Sequence, residues 1–151
     1  MSIATAIKSL HTTDDYQWLQ ETIKLLKAKR FSELDLDNLI EELEDLGNEK
    51  RHAVESLLEQ IIRHLLMCQY WEAEYERNAG HWKAEIVGFR TQLKKRLTTN
   101  FRNYLEKELP VIYQDALAYV RQKTRLQVNF PQECPYTLAE LLDSNWFPDD
   151  E

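Results

Sequence analysis

Glycine and proline are scarce in this chain, three and four among 151 residues. Few positions can therefore bend or break it, and several apolar stretches repeat every three or four residues, which together argue for helices. No glycine-rich phosphate loop, internal repeat or low-complexity segment occurs. Only two cysteines are present, Cys68 and Cys134, with no CxxC spacing. Reduced thiols in a cytoplasmic protein are the expectation, with a disulfide as the alternative. No apolar run approaches the roughly 18 residues that a membrane-spanning helix needs. The opening "MSIATAIKSLHTTDD" has no long apolar core, so no secretory signal is expected. Positive charge is also in deficit. The net charge of -7 argues against a protein held on phosphate by bulk electrostatics and favours solubility and a basic partner.

What is present fits one all-α domain over residues 1–151, an up-and-down helical bundle with one long spine helix. Residues 1–12 are expected to be flexible. The first helix should start at "HTTDDYQW", with Thr13 as N-cap and Asp14 and Asp15 in the anion-favouring first turn. Tyr16, Leu19, Ile23 and Leu26 form its apolar stripe, and Lys27, Lys29 and Arg30 close it. The spine runs from Leu36 to about Trp71 on Leu39, Leu43, Leu46, Val54, Leu57, Ile61, Leu65 and Cys68, a rod of roughly 50 Å. Gly47 interrupts it at a cost of about 1 kcal/mol relative to alanine, and reads as a bend or a tight contact. "ERNAGHW" reads as a turn before a third helix on Trp82, Ile86, Phe89, Leu93 and Leu97, and "TTN" ends that helix. A fourth helical region contains Pro110, which should kink it or start a new helix. A short helix is expected over Thr137–Leu142, inside an aromatic tail (128–151) packed over the bundle.

The first helix should cover the N-terminal half of the spine and the third its C-terminal half. If the fourth region does not return, another subunit must cover the N-terminal half.

Chemistry-bearing residues concentrate in "LDLDNLIEELEDLGNEKRH". Eight acidic side chains lie between Glu33 and Glu49, and no lysine or arginine lies between Phe31 and Glu49. On a helix, Glu42, Asp45, Glu49 and His52 form a row bordering the leucine stripe. A di-iron bundle needs two E-x-x-H pairs projecting inward from facing helices. Glu49-x-x-His52 is one pair, and His11, His64 and His81 supply no second. No metal, cofactor or catalytic residue is expected. A solvated or partner-facing acidic surface is the leading reading.

Between Lys83 and Lys107 lie Lys83, Arg90, Lys94, Lys95, Arg96, Arg102 and Lys107, against Glu85 and Glu106 alone. These cations read as a counterpart that sets register with the acidic helix. Nucleic-acid association through Lys94–Arg96 is a secondary reading, since no recognition helix accompanies the cluster. His64 sits on the apolar stripe as a core histidine, with Tyr104 or Glu108 as the expected hydrogen-bond partner. It is also the residue to test if a polar cleft exists. Cys68 reads as a small core residue, and neither cysteine belongs to a nucleophile arrangement.

The ordered blocks "DDYQWLQETIKLLKAKRFSELDLDNLIEELEDLG", "HLLMCQYW", "HWKAEI" and "FPQECPYTLAELLD" closely resemble the bacterial "domain of unknown function 29" family, abundant in cyanobacteria. The resemblance spans about Asp14 to Pro148. It implies an all-helical domain in a bacterial cytoplasm and carries over no activity, substrate or site residue. Met67-Cys68 departs from it, standing where a lysine or similar is expected. The resulting expectation is a non-enzymatic interaction or regulatory module that binds another protein or itself, as a homodimer, through its acidic spine face. The candidate binding residues are Glu42, Asp45, Glu49, His52 and His64. The alternative is a small-molecule or metal-binding enzyme with its site near His64 or Glu49/His52.

Overall fold

The computed structural model describes residues 3–148. Within them the chain is all-α, and it divides into two compact units, Met1–Glu49 and Lys50–Glu151.

The first unit begins with a helix where the sequence suggested a flexible lead, α1 (Ile3–Thr13). Thr13 ends this helix, its hydroxyl donating to the Ser9 carbonyl at 3.1 Å, so it does not cap the next one. Asp14 takes that role for α2 (Asp15–Lys27), its carboxylate accepting from Gln17 N–H at 3.1 Å. The helix stops without glycine. Lys29 adopts the left-handed conformation at φ 59°, and Arg30 N–H donates to the Leu25 carbonyl at 2.9 Å. A 3-10 turn (Phe31–Glu33) then leads into α3 (Leu36–Tyr70).

Ile7, Trp18 and Leu25 form the core of this unit, with Leu10, Leu34 and Leu39 packed against it. Burial of Trp18 requires a partner for its indole N–H. Asp35 supplies it, accepting from Trp18 Nε1 at 3.1 Å and from Asn38 Nδ2 at 2.7 Å. The buried carboxylate is thus satisfied by two donors.

The second unit holds the rest of α3, α4 (Glu72–Arg96), α5 (Thr99–Lys123) and the tail with α6 (Leu138–Leu142). Val54, Leu58, Ile61 and Leu65 of α3 meet Trp82, Ile86 and Leu93 of α4 and Leu105, Ile112, Ala116 and Val120 of α5. Each leucine or isoleucine fully buried there contributes about 1.5–3 kcal/mol. The helices start where side-chain oxygens can cap them. Thr98 accepts from Phe101 N–H at 3.1 Å to open α5. Thr137 and Glu140 form a reciprocal capping box for α6.

Two local expectations are overturned. "ERNAGHW" is no turn: α4 runs through it, and the chain reverses at Trp71, whose ring stacks on Trp82 at 5.8 Å. Asn78 fits a helix here because its amide donates to the carbonyl and carboxylate of Glu74, both at 3.1 Å. His81 therefore lies inside α4 rather than at its start. Pro110 neither ends nor starts a helix, since α5 continues through it.

The tail is fastened by polar groups as well as by apolar contact. Tyr136 donates to Gln69 Oε1 at 2.8 Å, and Tyr113 donates to the Pro131 carbonyl. Arg90 is the main fastening. Its buried guanidinium donates to the carbonyls of Leu141 (2.8 Å), Trp146 (2.8 Å) and Glu140 (3.1 Å) and lies 5.2 Å from the Phe147 ring centre. Two of these carbonyls, Glu140 and Leu141, lie in the last turn of α6, and a cation suits a helix C-terminus. Arg90 follows Ile86 by four residues and precedes Leu93 by three, so it lies on the apolar stripe of α4. The sequence reading placed it among the cations that set register with the acidic helix.

Candidate functional site

The row bordering the leucine stripe does not close on a ligand. Glu42 meets His11 of α1, its carboxylate Oε1 lying 2.8 Å from His11 Nε2. His11 in turn sets its ring edge-on against Trp18 at 4.9 Å. Asp45 and Glu49 are exposed. His52 is exposed too and pairs with Glu55 at 3.4 Å, one turn further along its own helix. Among the described residues no group of three or more His, Cys, Asp or Glu is placed to hold a metal ion.

His64 is half-buried in the second unit. Its Nδ1 meets the Gln60 carbonyl at 2.7 Å, and its ring tilts over Phe89 at 5.3 Å. The expected partners are occupied differently, because Tyr104 donates to Glu55 instead. That bond holds the Tyr104 phenol up at about 12. Burial lowers the His64 pKa from 6.5, outweighing the Gln60 carbonyl and the Glu85 charge, which favour the proton. His64 is thus a neutral packing histidine near neutral pH.

The two cysteines are free thiols. Cys68 is buried in the core, as expected. Cys134 is half-buried beside a groove of about 490 Å³ lined by Leu109, Pro110, Tyr113 and Tyr136. Burial pushes its thiol up, and burial likewise holds Tyr113 up at about 12. A protonated thiol among neutral phenols is a poor nucleophile. Lys94, Lys95 and Arg96 occupy the last turn of α4, where Lys94 reaches Ser144 Oγ.

The feature that stands out lies in the first unit. Tyr16, Leu19, Ile23 and Leu26 of α2, Phe31 of the turn, and Leu36, Ile40, Leu43 and Leu46 of α3 are each 40–69% exposed. The stripe expected to bury α2 on the spine is therefore its open face. The opposite side of α2 makes the core, through Trp18, Thr22 and Leu25. At 100° per residue the two stripes lie on different sides of one helix, so α2 is apolar on two faces and buries one.

Helix α3 poses the same question along its length. Leu36, Ile40 and Leu43 are in phase with Val54, Leu58, Ile61 and Leu65. One continuous stripe is thus exposed in the first unit and fully buried in the second. Gly47 falls on this stripe, within an unbroken helix, and a Cβ added there would meet nothing within 4 Å. Neither a break nor a close contact within the chain accounts for it.

The charges around this surface are segregated. Lys24 pairs with Glu21, and Arg30 with Glu33. Lys27 and Lys29 on one side, and Glu41, Glu44, Asp45 and Glu49 on the other, form no ion pair among the described residues. Among those residues, too, no helix is long and apolar enough to cross a membrane.

The family model described as "Domain of unknown function DUF29" matches residues 10–147. That span takes in α2 to α6, both units and the whole open apolar surface. No curated protein and no solved structure matches the chain.

Proposed function

The chain belongs to the DUF29 family, and from that premise we propose that it is a protein-interaction module of the bacterial cytoplasm, docking through the open face of its first unit. The observation that carries this reading is the exposure of nine large apolar side chains between Tyr16 and Leu46. A monomer's largest apolar patch is roughly 300–600 Å², and patches beyond that mark interaction sites. Helix α3 carries only acidic charges from 36 to 49, with Glu44 nearest the open stripe, and would select a partner carrying cations beside its apolar contact. The row of Glu42, Asp45, Glu49 and His52 acts here as border electrostatics, and His64 as a packing residue of the scaffold. This reading needs no cofactor and no chemistry.

The test is the size of the complex containing a tagged, natively expressed chain, in a fresh extract. The wild-type chain should run well above its own 18.0 kDa. Ile40→Asp with Leu43→Asp should shift it down to the free chain. If the wild type itself runs as the free chain, the proposal fails.

A further inference from the structure

We infer that the occupant of this face is a second copy of the chain, with the first part of α3 of each copy packed against α2 of the other. The inference rests on the interaction reading and names its partner.

Three observations point there. The first is extent. Nine large side chains exposed by 40–69% leave open roughly 100 Å² apiece, on the order of 900 Å² together. A partner in a stable complex commonly buries about 800 Å² on each side, so the area these side chains leave open is of the order that one such interface consumes.

The second is spacing. Tyr16, Leu19, Ile23 and Leu26 follow one another at intervals of three, four and three residues, and the open residues of α3, Leu36, Ile40, Leu43 and Leu46, at intervals of four, three and three. This is the spacing at which side chains of one helix seat in the holes of another. A two-fold interface places the same patch on both sides, so the patch must be self-complementary. Two helices of matching period in one unit meet that condition. Gly47 on the α3 stripe, with open space at its Cβ, leaves room for close approach of another chain.

The third is charge, and it fixes which helices meet. The α3 stretch from 36 to 49 carries only negative side chains, so two copies of it side by side would repel. The end of α2 and the turn after it offer Lys27 and Lys29, which form no ion pair among the described residues. Packing α3 on the partner's α2 sets these lysines on the side of Glu44 and Glu41, and two-fold symmetry makes each such pairing twice.

Light scattering on the purified full chain at micromolar concentration reads the result. The expected mass is twice 18.0 kDa. Ile23→Asp with Leu43→Asp should return it to one chain without loss of helical signal, because both side chains are solvent-exposed in the single chain. Lys27→Glu with Lys29→Glu should weaken self-association at least tenfold, and adding Glu41→Lys with Glu44→Lys should restore it. An independent measurement needs no destabilising change. Leu43→Cys in a Cys134→Ser background should form an α3-to-α2 crosslink with the partner when Ile23 is also replaced by cysteine, and no dimer crosslink when Val87 is replaced instead. A wild type that stays at one chain mass across the range overturns the inference. So does a dimer that survives the aspartate pair. If the purified chain is monomeric while the extract complex persists and needs Ile40 and Leu43, only the second copy falls and the interaction reading stands.

Discussion

Two residues show how position on a helix outweighs residue type. Arg90 was read, with the neighbouring cations, as a counterpart that sets register with the acidic helix. It lies instead on an apolar stripe, and burial lowers its pKa without removing its charge from the three carbonyls it binds. Arg90→Met should keep the volume and orphan those acceptors, destabilising the protein by about 3 kcal/mol in urea unfolding. Arg90→Lys should recover little, because an ammonium cannot reproduce the planar fork. His64 gives a pH prediction. Its native pKa lies below its unfolded value of 6.5, so the unfolded chain binds the extra proton more readily. The stabilising difference is present above pH 6.5 and is lost as pH falls from there through the native pKa. Unfolding measured from pH 7.5 to 5 should show the wild type losing more stability than His64→Gln. Equal losses would contradict the assignment.

At the level of elements, the legible parts were those with strong local signals. The bounds of α3 follow from a long periodic run that starts after Asp35 and ends at the aromatic pair Tyr70-Trp71. The short helix expected over Thr137–Leu142 is present as α6, opened by the capping box of Thr137 and Glu140. The illegible parts lacked such signals or carried misleading ones. Helix α1 buries a single large side chain, Ile7, so its periodicity is faint. Asn78 and Gly80 suggest a turn, yet a side-chain bond to the preceding helical turn keeps Asn78 helical. In α2 both faces have apolar spacing, and periodicity cannot say which of them its own chain will bury. Gly47 supports a sharper test. With nothing near its Cβ, Gly47→Ala should stabilise an isolated chain by about 1 kcal/mol. If the substitution instead weakens self-association in the full protein, another backbone lies against that position.

For the whole molecule, the difference between the units is one of completion. The second unit buries the α3 stripe under two helices and clamps its tail with Arg90 and two tyrosines. The first closes a small core around Trp18 and leaves a surface of interface size open. Composition foretold the acidic surface, and the length of the spine made cover of its N-terminal half depend on whether the fourth helical region returned. The candidate residues chosen from the sequence stand apart in the fold: Glu42 with His11, His52 with Glu55, His64 with Gln60. Their chemistry was legible as residue type. Their separation depended on tertiary contacts that spacing does not encode.

Hydrogen exchange on the unmodified chain, at a high and a low protein concentration, bears most directly on the open face as a docking surface. Backbone amides from 16 to 26 and from 36 to 46 should exchange more slowly at high concentration and lose that protection on dilution, while those of α4 and α5 stay the same. Identical exchange in both stretches at the two concentrations would contradict the second-copy account.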